Sequence, residues 1–191
     1  MNKIAVVAGV PGVGKTTVVD GALDKLKEVG SPYEKVNYGD YMFELSQKEA
    51  GIKDRDDMRK MDLELNRKLQ KKSAKEIARR AKKGSILVDT HCMIKTPKGY
   101  MPGLPKWVLD ELNPNAIVLI EADSEKIASR RVSDGSRKRD DELEEEIDTH
   151  QELNRALATA CGVMVGATVT IINNEEGKVD EAVNKMVEAL K

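Results

Sequence analysis

The 191-residue chain reads as an α/β protein whose mainly parallel sheet is covered by helices on both faces. Two patterns predict this. Short apolar runs alternate with longer segments of helical periodicity, the arrangement of βαβ units. The runs at Ile4–Ala8, Ser85–Asp89, Ala116–Glu121 and residues 168–172 are also continuous, as strands covered on both sides are. A third observation places the chemistry. A glycine-rich loop follows the first run, and ligands of such sheets bind outside the carboxyl ends of the strands.

Each element follows from its own residues. Ile4–Ala8 has β-branched members and is a buried strand. Residues 16–29 form a helix ended by Gly30, residues 34–38 a second, weaker strand, and residues 41–50 a short helix closed by Gly51. Over residues 56–83, Met58, Met61, Leu65 and Leu69 recur at helical spacing. That helix ends in Lys82 and Lys83, a basic last turn before the cap glycine Gly84. Ser85–Asp89 is the third strand, and residues 96–105, rich in Pro and Gly, are a loop. Lys106–Leu112 is a short helix stopped by Asn113 and Pro114. Ala116–Glu121 is the fourth strand and residues 124–132 a helix. A polar, glycine-containing break covers residues 133–139. A helix over residues 140–162 then places Leu143, Ile147, Leu153, Leu157 and Cys161 near one face. Residues 168–172 are the fifth strand and Val179–Leu190 the last helix.

At roughly 150 residues per domain, the length predicts a single domain over residues 1–191. Composition narrows the function classes. Charged residues make up 34% of the chain, yet 32 Lys+Arg against 33 Asp+Glu leave a formal charge of −1. A dedicated nucleic-acid binder usually shows a basic excess, so no nucleic-acid partner is expected. The longest apolar stretches, such as residues 163–172, are about half of the ~20 residues a spanning helix needs, so no membrane partner is expected. The apolar start is broken by Pro11, Gly12 and Gly14 and is not a secretory signal, which makes a cytoplasmic location the expectation. Cys92, Cys161, His91 and His150 show no metal-ligand spacing, so no structural zinc is expected.

Gly9, Val10, Pro11, Gly12, Val13, Gly14, Lys15 and Thr16 complete a G-x-x-x-x-G-K-[ST] motif between strand and helix, with Thr17 following. Glycines let backbone N–H groups converge on phosphate oxygens, and the helix N-terminus adds a favourable dipole. Lys15 supplies a point charge for the β- and γ-phosphates, and the Thr16 hydroxyl suits Mg²⁺. The N-K-x-D and D-x-x-G signatures of guanine-specific switches are absent, and the chain is short for a remodelling ATPase. A small kinase with this loop is the class that remains.

Asp89 ends the third strand, where an acid can hold Mg²⁺ through water; alternatively it caps a loop. Thr90 and His91 follow, His91 either contacting an acceptor or serving no site role. Gly39 and Asp40 after the second strand would open an acceptor pocket. Four of the six aromatics, Tyr33, Tyr38, Tyr41 and Phe43, gather there, for base stacking or for local packing. Arg59 is the nearest cation for an acceptor phosphate, or a solvated helix residue. Residues 130–139 hold Arg130, Arg131, Arg137, Lys138 and Arg139 around Gly135, and an acidic helix start follows. Two solvated helix ends would explain this. A mobile lid bringing guanidinium groups onto a transferring phosphoryl group would explain it too.

With these residues in hand, the chain resembles the nucleoside monophosphate kinases, and most closely the archaeal-type adenylate kinases. The resemblance covers essentially the whole chain and rests on residues 9–17, Gly39 and Asp40, residues 88–91, the 96–105 loop and residues 130–141. It implies a five-stranded parallel sheet ordered 2-3-1-4-5, an acceptor-binding region at residues 31–70 and a short lid at residues 132–140. It implies Mg²⁺-dependent, reversible transfer of the ATP γ-phosphoryl group to AMP, giving two ADP, in adenine nucleotide homeostasis. Carried over, residues 9–17 bind the ATP phosphates, with Lys15, Arg130 and Arg137 or Arg139 at the transferring group. On the acceptor side stand Gly39 and Asp40, with Arg59, Thr90 and His91 inferred as substitutes where the family's own acceptor contacts are missing, and Mg²⁺ falls to Thr16 and, through water, Asp89. The chain departs from the bacterial and eukaryotic pattern. It has no Arg three residues after Met42, no Phe-Pro-Arg after Asp89, and no four-cysteine lid. Archaeal-type members tend to be homotrimers, so a homo-oligomer of that kind is implied. Two other readings stand beside this one: a kinase for CMP, UMP or a hydroxyl acceptor with Asp40 or Asp89 as base, and a nucleotide-binding, RNA-associated factor.

Overall fold

The computed structural model describes residues 2–54, 57–58, 61–96, 98–133 and 144–191. The chain begins β1 (Ile4–Ala8), α1 (Lys15–Glu28), β2 (Tyr33–Asn37), α2 (Tyr38–Ala50), α3 (Leu63–Arg80) and β3 (Ser85–Asp89). It continues β4 (Met93–Thr96), β5 (Gly99–Pro102), α4 (Lys106–Leu112), β6 (Ala116–Glu121) and α5 (Ser124–Ser133). It ends α6 (Glu144–Val165), β7 (Thr168–Asn173) and α7 (Val179–Leu190).

Five strands form one sheet in the order β2-β3-β1-β6-β7, every pair parallel. With the β4–β5 hairpin left out of the count, this is the 2-3-1-4-5 arrangement the resemblance implies. The register levels the carboxyl ends. Asp89 is opposite both Val7 and Asn37, Ala8 is opposite Leu119, and Glu121 is opposite Asn173. The loops that carry the chemistry therefore leave the sheet along one edge.

The central strands divide their side chains between two cores by the period of two of a pleated strand. Ile4, Val6 and Ala8 of β1 join Ile86, Val88, Ile117 and Leu119 on one face, under Leu69 and Ile77 of α3, Leu109 of α4 and Ala158 of α6. Ala5 and Val7 join Leu87, Val118 and Ile120 on the other, under Val18, Val19 and Leu26 of α1 and Val183 and Met186 of α7. Each fully buried Leu or Ile in these layers contributes about 1.5–3 kcal/mol. Among the described residues no helix is long and apolar enough to cross a membrane.

Four local readings change. The 96–105 loop is largely part of an antiparallel hairpin, β4–β5, in which Gly99, the first residue of β5, takes φ 120°. Its two strands are four residues each, too short to show a period against so much Gly and Pro. The helix expected from residue 56 starts at Leu63, because the Asp62 carboxylate accepts from the backbone N–H of Glu64 and Leu65 and caps it there. Met58 and Met61 still pack on the core, which is why the apolar spacing ran on past the cap. The turn expected at Gly39 and Asp40 is the first turn of α2, capped by Asn37, whose Oδ1 accepts from the Asp40 N–H at 3.0 Å. Finally, β7 is an edge strand with Ile171 48% exposed, not a strand covered on both faces.

Candidate active site

The loop of residues 9–14 leaves β1 against β6. A β-carbon at Gly9 would lie 2.5 Å from the Ile120 carbonyl oxygen, so only glycine allows the loop to lean there. Gly14, at φ 80°, turns the chain into α1 from the left-handed region. That helix has no acid in its first turn and no side-chain cap. Its first N–H groups and its dipole are thus available to an anion. Thr16 and Thr17 in the first turn are exposed.

Three side chains from outside the loop hold alternate carbonyls. The His91 ring Nδ1 lies 3.1 Å from the Gly9 oxygen. Arg131 Nε donates to the Pro11 oxygen at 2.8 Å, and Asn174 Nδ2 to the Val13 oxygen at 2.7 Å. A trans peptide points its C=O and the following N–H to opposite sides. Pinning the carbonyls of residues 9, 11 and 13 therefore turns the N–H groups of Val10, Gly12 and Gly14 away from the tethers.

The Lys15 ammonium pairs with the Asp89 carboxylate and donates to the Thr90 carbonyl at 3.1 Å. The strand register delivers this contact: Asp89 ends β3 beside Val7, and the Thr90 N–H donates to the Val7 carbonyl. Asp89 and Thr90 are buried. His91 is held neutral. Burial first, and then the nearby Lys15 charge, lower its pKa from 6.5 to about 4, against the Gly9 carbonyl and Asp89. Because a carbonyl can only accept, the neutral ring carries its proton on Nδ1 and leaves the Nε2 lone pair free to accept.

Arg130 and Arg131 stand at the end of α5 beside the loop. Arg131 Cγ would be 3.2 Å from a β-carbon on Gly12, and Arg130 Nη1 3.7 Å from one on Gly14. Arg130 Nη1 is buried without a hydrogen-bond partner among the described residues. Behind these groups, Arg155 grips the buried Glu121 at the end of β6 with two bonds of 2.6 and 2.5 Å. Gln151 bonds both the N–H and the carbonyl of Ala122.

The structure thus gathers residues 9–17, Asp89, Thr90, His91 and Arg130 at one edge. Gly39 and Asp40 sit at the adjoining end of β2, in the first turn of α2. Arg59, Arg137 and Arg139 lie outside the described residues, as does nearly all of the lid at residues 132–140. The aromatic group goes largely to packing. Tyr38 is buried with its hydroxyl on the Gln70 carbonyl, Tyr33 donates to the Leu190 carbonyl, and Tyr41 lies under the Arg80 guanidinium. Sequence reasoning named Arg131 only among the cations of residues 130–139, and passed over its bond to the loop, Asn174 and the pairing of Glu121 with Arg155. The strand-end rule that singled out Asp89 also applies to Glu121 and to Asn174, one residue beyond β7.

A family model described as an AAA domain matches residues 8–148. A curated adenylate kinase of Methanococcus aeolicus is 48% identical over 190 residues, covering 100% of this chain and 98% of that protein. The chain belongs to the adenylate kinase family. Another member, from Methanocaldococcus jannaschii, is also 48% identical, over 100% of this chain and 99% of its own. Beyond the family only the fold is shared. A shikimate kinase structure from Bacteroides thetaiotaomicron superposes with a TM-score of 0.62 at 16% identity, covering 98% of each chain. Among these adenylate kinases the present chain is matched over its whole length, so the match takes in residues 31–70 and the segment after α5 as well as residues 9–17.

Proposed function

We infer that this member of the adenylate kinase family transfers the γ-phosphoryl group of ATP reversibly to AMP, giving two ADP. The observation that carries the reading is a complete phosphate loop, braced from outside, on a chain similar to adenylate kinases along its whole length. The acceptor is itself a phosphate oxyanion, so the reaction needs positioning and charge neutralisation rather than a strong base.

In this proposal residues 9–17 hold the ATP phosphates with backbone N–H groups. Lys15 exchanges Asp89 for the β- and γ-phosphates, and the orphaned Nη1 of Arg130 donates to the transferring group. Arg137 and Arg139 complete the charge from the short lid at residues 132–140. In this reading the acceptor region is residues 31–70, a stretch that starts with β2 and includes α2, and AMP is received near Gly39, Asp40, Arg59, Thr90 and His91. His91 Nδ1 is committed to Gly9, so its acceptor contact runs through Nε2. The donor set suits Mg²⁺. The exposed Thr16 hydroxyl and the Asp89 carboxylate are hard oxygens, and such sites keep several waters on the ion. When bound with ATP, Mg²⁺ supplies further neutralisation of phosphate charge.

We take residues 1–191 as one kinase domain and a homotrimer as its assembly. The exposed apolar side chains Val163, Met164 and Ile171, on the mutually packed α6 and β7, support self-association. Two buried free thiols, Cys92 and Cys161, suit a reducing cytoplasm. An acceptor panel with ATP–Mg²⁺ tests the reaction: ADP from AMP is expected, and transfer confined to CMP, UMP or a hydroxyl acceptor would overturn it. Sedimentation velocity tests the assembly.

A further inference from the structure

Asn174 belongs to no recognised motif, yet it is 3% exposed directly against the phosphate loop. Its backbone N–H donates to the Glu121 carbonyl at 2.7 Å, fixing it at the shared ends of β6 and β7. From there its side-chain Nδ2 donates to the Val13 carbonyl, also at 2.7 Å. The contact is close enough to forbid a side chain beneath it, since a β-carbon on Gly14 would lie 2.5 Å from Nδ2. Asn174 Oδ1 and Arg130 Nη1 are both buried without a hydrogen-bond partner among the described residues, and both side chains border the same face of Gly14.

We propose that Asn174 is a positioning residue for phosphoryl transfer: it sets the peptide between Val13 and Gly14 and offers its Oδ1 to the Arg130 guanidinium. The proposal rests on the adenylate kinase reading and deepens it on the ATP side. Drawing the Val13 carbonyl toward Asn174 turns the Gly14 N–H to the other side of the same peptide plane. A residue needed only to fill the space would be apolar, because a buried acceptor left unpaired is unfavourable. Asn174 Oδ1 and Arg130 Nη1, each unpaired among the described residues and each on a side chain bordering Gly14, are complementary acceptor and donor. When Arg130 moves onto the transferring group, Oδ1 is placed to orient the guanidinium plane.

The test uses the full-length chain with Asn174→Ala and Asn174→Asp, the second preserving shape and Oδ1 but replacing the donor that meets Val13. Two readouts are taken: steady-state ADP formation with ATP and AMP varied, and inhibition by Mg²⁺–tripolyphosphate, a probe of the phosphate loop that carries no base. Both variants should lose about tenfold in kcat and raise the tripolyphosphate inhibition constant about tenfold, with the KM for AMP within twofold of wild type. Unchanged kcat and inhibition constant would overturn the proposal. So would an equal rise in the KM for AMP, or loss of folding in both variants, either of which would make Asn174 a general structural residue. Should the wild-type chain make no ADP from AMP, the reading of function fails. Tripolyphosphate binding, followed directly by calorimetry, then still decides the role of Asn174.

Discussion

The neutral imidazole of His91 makes the fold sensitive to acid in a calculable way. Its pKa falls from 6.5 to about 4 on folding, through burial and the neighbouring Lys15 ammonium. Above pH 6.5 the ring is neutral in both states and no proton is taken up on unfolding. Between pH 6.5 and 4 the unfolded chain binds a proton that the folded chain does not, so stability falls as pH falls. Integrating that difference from pH 7.5 to pH 5 gives a loss of about 2 kcal/mol from this one group. His91→Asn removes the titration and keeps an amide N–H for the Gly9 carbonyl that Nδ1 now meets. Urea unfolding at both pH values, followed by circular dichroism, measures the effect. Carboxylates titrate alike in the two proteins and cancel in the comparison. Wild type should lose about 2 kcal/mol more than the variant over this range, a difference of about 1 M in urea midpoint. Equal losses in wild type and His91→Asn would refute the argument.

Other perturbations follow from the same contacts. Lys15→Ala should lower the rate of ADP formation by about 10²–10³. It should also cost about 1–3 kcal/mol by leaving the buried Asp89 without its ammonium, read as a fall in urea midpoint with the circular dichroism spectrum retained. Gly9→Ala forces its β-carbon onto the Ile120 carbonyl and should destabilise by about 1–3 kcal/mol while weakening nucleotide binding; calorimetric melting and an unchanged Tm would decide against it. Asn37→Ala removes the cap on Asp40 and should cost about 1 kcal/mol in urea unfolding. Burial pushes the Cys92 thiol up to about 12, and Cys161 is raised as well, so a disulfide reagent such as dithionitrobenzoate should modify neither until the chain is unfolded.

The strands and the phosphate loop were legible because their signals are local. A continuous apolar run identifies a doubly covered strand, and glycines at fixed offsets identify a loop that must approach β6 and turn into α1. The Asp89 position followed from the same logic, since a strand end in a parallel sheet faces the ligand. What was not legible depends on long-range contact. The pairing of Lys15 with Asp89 spans 74 positions, and the Asn174–Val13 bond spans 161. Nothing in the neighbourhood of Asn174 distinguishes it from a strand-end turn residue. His91 was visible as a candidate, but its engagement with Gly9 depends on how β3 is placed beside β1. The β4–β5 hairpin was hidden because each strand has only four residues, and its contacts to α6, where Asn154 Oδ1 accepts from the Met93 N–H and the His150 ring meets the Met93 carbonyl, are long-range.

The three pinned carbonyls also bear on how the loop breathes. A surface loop usually opens by itself, and its amide hydrogens exchange with solvent at the cost of a small local fluctuation. Here the anchors come from the segment after β3, from α5 and from the residue beyond β7. The loop cannot swing free without disturbing the ends of several strands. Its amide hydrogens are therefore expected to exchange together with those of the sheet edge, so that the donor half behaves as one stiff cooperative unit.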